Sequence, residues 1–412
     1  MRSRATVGLA LALCSLGSPA ALAGERGDLR DTLSKALDSA GPSSGAYVSD
    51  SGADKVLFER RAGDRRAIAS NAKLFTTAAA LAELGARRTL PTSALADGAI
   101  GPDGTLDGDL YLRGGGDPTF GNESFARDVN SDATVGALVE GVADAGVERV
   151  DGRVIGDESL FDSLRGGPAS NGNPSPFVGT LSALIYNRGF TGKDRDDFQG
   201  DPPEFAAKRF TRKLEGEGIE VGGGTRVGTA PNDAEAVAAV ASPEVAVLVR
   251  QINKPSDNFT AEMLVKRLGV GAKGEGSTSA GSRASERYAR EFDARPRIVD
   301  GSGLSRRNKA SPRSVVRLLE GQVREDHFGP FLDSLPIAGE DGTLHERMRG
   351  EPAEGRCSAK TGTLPGVSTL SGYCRSRDGD RLVFSWLMNG VDTSAARELQ
   401  DRMTNALARY RG

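Results

Sequence analysis

At 412 residues, with 38% hydrophobic and 26% charged side chains, the chain can bury the cores of two or three domains and is not disordered by composition. Lys and Arg number 53 against 56 Asp and Glu, a net charge of -3, which argues against a nucleic-acid partner. The two histidines, His327 and His345, exclude a His-rich metal site and leave few candidates for a His-based serine triad.

Met1-Arg2-Ser3-Arg4 precedes an apolar run from Ala5 to Leu16, and Ala21-Leu22-Ala23 follows. This pattern predicts a signal peptide over residues 1–23, cleaved after Ala23. A lipoprotein signal at Cys14 is the weaker alternative, because bulky Leu13 stands where a small residue is wanted. The run is too short for a permanent anchor, so the expectation is an exported protein, periplasmic, extracellular or wall-associated, with no transmembrane anchor.

Leu29, Leu33, Ala36 and Leu37 predict an amphipathic helix over 29–40. Residues 46–48 and 56–58 flank a Ser/Asp/Gly turn and read as a hairpin. Residues 70–84 read as an Ala/Leu-rich helix stopped at Gly85. From about 91 to 237 short strands alternate with Gly and Asp turns, which reads as a β-rich insert. Within it, Val150-Asp151-Gly152-Arg153-Val154 reads as a tight turn between strands, and 164–203 as loop. Helices are expected at 244–253 and 259–268, the second ending at Gly269, followed by a mobile Gly/Ser stretch at 271–282. Ser311-Pro312 opens another helix. Strands at 356–362, 368–374 and 381–388 suggest a meander, and Leu399, Met403, Leu407 and Tyr410 mark one face of a final helix. Both chain ends supply a helix and strands. The economical fold is α+β: one antiparallel sheet built from residues 24–90 and 238–412, flanked by helices, with 91–237 inserted.

Cys357 and Cys374 remain after signal removal. A hairpin turning at Leu364–Val367 would place them opposite each other, within disulfide reach. On the loop-entropy model such a bridge contributes about 3 kcal/mol. Two buried free thiols are the alternative.

Ser70-Asn71-Ala72-Lys73 is the chain's one S-x-x-K. On a helix, i and i+3 share a face, so the hydroxyl and the ammonium can meet. Taken alone, Ser70 as a helix cap with Lys73 in solvent is the simpler account. Ser256-Asp257-Asn258 lies between two helical segments, where Asn258 could merely cap the second. Lys360-Thr361-Gly362 lies on a predicted strand: Gly allows close approach of a substrate backbone, while Lys and Thr suit a carboxylate. An edge-strand Lys that blocks aggregation is the bland alternative. In this order and in these settings, the three form the set found in penicillin-binding proteins and class A β-lactamases.

The chain resembles the D-alanyl-D-alanine carboxypeptidase/endopeptidase family of low-molecular-mass penicillin-binding proteins, the S13 peptidases. Lys73 and Ser256 are 183 residues apart, and a large insert at that point marks the family. Ala69–Leu74, Gly115-Gly116-Asp117-Pro118, Val299–Leu304 and Gly339–Leu344 carry the likeness further, and Gln251–Pro255 is a flanking departure. The resemblance implies a penicillin-recognising, β-lactamase-like fold and a serine DD-peptidase that needs no metal or cofactor. Its expected partners are peptidoglycan stem peptides and β-lactams. Ser70 would be the nucleophile and Lys73 its base, with its pKa lowered by burial and by Lys360. Ser256 would relay a proton, and Asn258 would orient Lys73 and the substrate amide. Lys360, Thr361 and Thr363 would hold the terminal carboxylate across Gly362, and the Ser70 and Thr363 N–H groups would form the oxyanion hole. Asp157 is a weaker candidate for a diamino side chain of the stem; a turn residue is the alternative. A β-lactamase, a non-catalytic wall-binding module and a hydrolase using His327 or His345 are the competing readings.

Overall fold

The computed structural model describes residues 19–192, 197–274 and 276–412. Residues 1–18, and with them Cys14 and most of the expected leader, lie outside these. Helix α1 (Pro19–Ser39) therefore starts before the expected cleavage point. It buries Leu29, Leu33 and Leu37 as their spacing predicts. Strands β1 (Gly45–Asp50) and β2 (Lys55–Arg60) form the expected hairpin, with a bulge between Val48 and Ser49. Helix α2 (Ala72–Glu83) follows a 3-10 turn over Ala69–Asn71.

A second sheet lies entirely between residues 91 and 241. Its strands β3 (Pro91–Ile100) and β4 (Thr105–Gly114) are antiparallel. Helix α3 (Val135–Asp144) leads to β5 (Arg149–Val150) and β6 (Val154–Asp157). These two strands do not fold back on each other as the sequence suggests: each runs parallel to β4. The link between them crosses β4 so closely that a Cβ on Gly152 would meet the Gly108 carbonyl oxygen at 2.3 Å. Helix α4 (Pro202–Gly216), β7 (Glu220–Val221), β8 (Thr225–Val227) and β9 (Glu235–Ala241) complete the unit. It is a mixed α/β layer, because Leu138, Val142, Phe210 and Leu214 of α3 and α4 bury against the sheet. The 237/238 boundary falls inside β9.

Helix α5 (Val245–Asn253) precedes α6 (Asn258–Lys273), which runs past the expected stop at Gly269. Gly269 instead allows close packing against the next helix, α7 (Thr278–Glu291): a Cβ there would lie 2.7 Å from the Ser277 carbonyl oxygen. The facing Gly281 would clash with the Val265 carbonyl oxygen at 1.6 Å. Part of the stretch expected to be mobile is thus the start of α7, capped by Ser277. The loop 164–203 anchors Val178, Leu181 and Ile185 on Phe259 and Met263 of α6.

Helix α8 (Pro312–Gln322) starts at the predicted Ser-Pro cap. Strands β10 (Cys357–Leu364), β11 (Val367–Arg375) and β12 (Arg381–Asn389) precede the last helix, α9 (Thr393–Arg409). The main sheet has the order β10-β11-β12-β1-β2, antiparallel throughout and drawn from both chain ends. Strand alternation separates two cores. Phe384, Trp386 and Met388 face α1 and α9, while Val383, Leu387 and Tyr373 face the helical layer of α2 and α5–α8. Tyr410 is buried with the first group but lies one residue beyond α9. Leu364 pairs with Val367 and Cys357 with Cys374, and the two cysteines form a disulfide. Strand β10 is one of the sheet's two edges, and its first residues, Cys357 and Ala359, hydrogen-bond Ala338 and Pro336.

Candidate active site

Ser70 sits in the 3-10 turn that feeds α2, not at a helix cap. The turn is entered through Ala69 at φ +45°, the left-handed region that non-glycine residues rarely adopt. Two glycines hold it there. A Cβ on Gly303 would lie 2.0 Å from the Ala69 carbonyl oxygen, and a Cβ on Gly362 would lie 2.9 Å from the Ser70 nitrogen. Gly362 therefore serves the approach of β10 to the Ser70 turn; that space is taken by the protein rather than by a substrate backbone. Asn71 fixes the same junction, donating from Nδ2 to the Lys360 carbonyl at 2.8 Å and accepting from Ser371 Oγ at 2.7 Å.

Lys73 is fully buried one helical turn on. Its ammonium donates to Ser70 Oγ at 3.0 Å, Asn258 Oδ1 at 2.7 Å and the Ser302 carbonyl at 2.5 Å. Burial pushes its pKa down to about 8, while Asp257, Glu262 and Asp300 pull it back up. Two of the three acceptors are carbonyl oxygens, which cannot donate. When Lys73 is neutral, its two N–H bonds are taken by Asn258 and Ser302, and its lone pair points at the Ser70 hydroxyl. The Ser302 carbonyl is thus a member of the site to which the sequence assigned no role.

Ser256 adopts φ +64° at the turn between α5 and α6. The cap of α6 is Asp257, not Asn258: Asp257 Oδ1 accepts from Thr260 N at 2.7 Å, and Oδ2 pairs with Arg188 of the insert at 2.5 Å. That leaves the Asn258 amide for Lys73 on one side and for the Phe177 carbonyl, at 3.2 Å, on the other. The insert thereby reaches Asn258.

Lys360 lies on the face of β10 that meets α2 and is fully buried. Its ammonium donates to the Thr361 carbonyl at 3.0 Å. Burial, and secondarily the Lys73 charge, push its pKa well below the usual lysine value. The expected effect of Lys360 on Lys73 runs the other way: the Lys73 charge helps to lower Lys360, while burial is what lowers Lys73. Thr361 and Thr363 occupy the opposite face, along a cleft of about 520 Å³ lined also by Ser70, Ser256, Thr343 and Arg397. Thr361 and Thr343 share a hydrogen bond of 2.7 Å, and Arg397 donates to Thr363 Oγ1 at 3.3 Å. The cleft-wall cations are Arg397, an exposed residue of α9, and Arg347, which is paired with Asp401 at 2.6 Å. No motif pointed to Arg397; only the packing of α9 beside β10 brings it there.

Asp157, like Gly362, is a proposed site residue that the structure does not free for a ligand. It is fully buried at the end of β6. Oδ2 accepts from Arg113 Nε at 2.9 Å and from Ala230 N at 3.0 Å, and Oδ1 accepts from Ser159 N at 2.9 Å. Both oxygens are spent on the insert's own framework. His327 and His345 belong to neither cleft nor catalytic cluster: His327 meets Tyr288 and Gln322, and His345 meets the Glu340 carbonyl.

The D-alanyl-D-alanine carboxypeptidase of Actinomadura sp. (strain R39) is 31% identical to this chain, over 98% of the chain and 89% of its own length. Penicillin binding protein 4 of Haemophilus influenzae superposes with a TM-score of 0.76 at 21% identity, covering 90% of this chain and 97% of that one. The same Haemophilus protein complexed with a novel β-lactam gives a TM-score of 0.71 at 22% identity, covering 90% and 98%. The family model of the D-Ala-D-Ala carboxypeptidase 3 (S13) family matches residues 28–197 and 198–410. The chain belongs to the D-Ala-D-Ala carboxypeptidase 3 (S13) family.

Proposed function

We propose that Ser70 is the acylated residue of a serine DD-peptidase acting on the D-Ala-D-Ala end of peptidoglycan stem peptides. The observation that carries this is Lys73 Nζ, buried and within hydrogen-bond reach of Ser70 Oγ, Asn258 Oδ1 and the Ser302 carbonyl at once. Neutral Lys73 takes the Ser70 proton as Oγ attacks the penultimate D-Ala carbonyl. The Ser70 and Thr363 N–H groups receive the developing oxyanion. Ser256 passes a proton to the leaving D-Ala amine as the C–N bond breaks, and water then hydrolyses the ester. The terminal carboxylate lies against Thr361, Thr363 and Arg397, whose guanidinium and hydroxyls suit a carboxylate. A β-lactam presents an amide and a carboxylate in the same arrangement. Its ring opening leaves no departing amine, so the ester persists.

Residues 24–90 and 238–412 form the peptidase body in this reading, and 91–237 an accessory unit. The Cys357–Cys374 bridge supports export to an oxidising compartment. Among the described residues no helix is long and apolar enough to cross a membrane.

The test is mass spectrometry of the benzylpenicillin adduct, with product analysis on purified muropeptides. One adduct on Ser70, loss of labelling in Ser70→Ala and release of D-Ala are expected. An adduct elsewhere, or labelling of Ser70→Ala, would overturn the assignment. Fast turnover of a chromogenic β-lactam without muropeptide cleavage would instead make the protein a β-lactamase.

A further inference from the structure

Glu262 lies one turn after Asn258 on α6, is almost wholly buried, and has no place in the roles above. Its Oε1 accepts from the Ser302 backbone N–H at 2.9 Å. Its Oε2 is buried with no hydrogen-bond partner. Ser302 is the residue whose carbonyl receives Lys73 Nζ. The same segment is held at Gly301 by the Thr76 hydroxyl, 3.2 Å from its carbonyl, and at Gly303 by Asp300, which accepts from its N–H at 2.8 Å. An unpartnered buried carboxyl oxygen is destabilising, so a residue that keeps one beneath the reacting pair calls for a reason.

We propose that Glu262 is a positioning residue for the acylation: from beneath the Ser70–Lys73 pair it holds the Ser302 peptide against Lys73 and carries a charge that sets how readily that amine gives up its proton. This rests on the Ser70–Lys73 acylation proposed above.

The charges around Glu262 are few and specific. Lys73 faces it from α2 and Asp300 from the 299–304 loop. Asp257 and Lys266 belong to its own helix, and Lys266 is in turn held by Asp162 and sees Arg165 of the insert. Burial, and then the Asp300 carboxylate, push the Glu262 pKa up. Two acids this close do not both ionise easily. An ionised Glu262 favours the ammonium form of Lys73, and a neutral one favours the amine. The insert closes the space: a Cβ on Gly167 would lie 3.4 Å from Glu262 Oε2.

The experiment is the pH dependence of the single-turnover acylation rate with a fluorescent penicillin, expressed per labelled site so that inactive protein drops out. Glu262→Gln keeps an acceptor for the Ser302 N–H and removes the charge. Its acid limb should move to lower pH by about 0.5–1 unit. Glu262→Asp keeps the charge but is too short to hold the Ser302 peptide, and its rate should fall at least about tenfold with the limb near its original place. A limb that stays put or moves up in Glu262→Gln overturns the proposal, as does an unchanged rate in Glu262→Asp. Should one variant fail to fold, the other still decides. A purely structural role would lower thermal stability and leave the limb where it is. Labelling of Ser70→Ala would instead strike the underlying assignment and is scored separately.

Discussion

Asn71 Nδ2 and the carbonyl oxygen of Lys360 are 2.8 Å apart although 289 residues separate them in the chain. The contact ties the start of α2 to strand β10, so Ser70 and the Thr361–Thr363 wall of the cleft keep one geometry. The asparagine is fully buried and uses both ends of its amide. Asn71→Ala should lower stability by about 1–3 kcal/mol by removing the Asn71 bond to the Lys360 carbonyl and one of the two hydrogen bonds of the Ser371 hydroxyl, whose other partner is Ser385 Oγ. Denaturant titration gives that loss, and penicillin labelling of the remaining folded protein should be slowed as well.

The pKa of Lys73 fixes a second expectation. In the proposed mechanism the amine is the active form, so acylation should rise with pH through an acid limb near 8. Asn258→Asp would place a carboxylate 2.7 Å from the ammonium, raise its pKa and shift the limb to higher pH. Stopped-flow acylation between pH 6 and 10 checks both; a limb moving downward in the variant would refute the assignment of Lys73 as base.

Lys360 gives a third expectation. It is a buried cation with its pKa lowered by burial and by Lys73. Lys360→Met should stabilise the fold by about 1–3 kcal/mol at neutral pH. The sign follows from linkage: with the folded pKa below the usual 10.5, the unfolded chain binds more protons, and the wild type gains stability as pH rises between the two values. The advantage of the variant should therefore shrink toward pH 10.5. Thermal melts of both proteins across that range test this.

Gly362→Ala should be destabilising and slow. Its Cβ would meet Thr369 Oγ1 at 2.3 Å and the Ser70 nitrogen at 2.9 Å. Overpacking of this kind costs about 1–3 kcal/mol, and here it also displaces the Ser70 N–H from the expected oxyanion hole. A variant with wild-type acylation and unchanged melting would show that β10 has room to move.

Reduction of the Cys357–Cys374 bridge should lower stability by about 3 kcal/mol on the loop-entropy model. The bridge ties the end of the β10–β11 hairpin away from Thr361 and Thr363. Reduced protein that remains folded should therefore acylate at the wild-type rate, which labelling with and without reductant at low temperature measures.

The motif spacing, the β10–β11 register that pairs Cys357 with Cys374, and the sheet assembled from both chain ends could all be read from the residues alone. Each depends on short-range periodicity or on chemistry carried by neighbouring positions. Other assignments were decided only when distant segments met. Asp257 took the α6 cap and left Asn258 for Lys73, because Arg188 of the insert pairs with that aspartate. Asp157 was spent on Arg113 and Ala230, Gly269 became a helix contact instead of a stop, and Arg397 reached the cleft from the last helix. A side chain's chemistry is written at its own position. Which of several equivalent partners satisfies it, and whether water still reaches it, is settled by neighbours that the fold brings in from other segments.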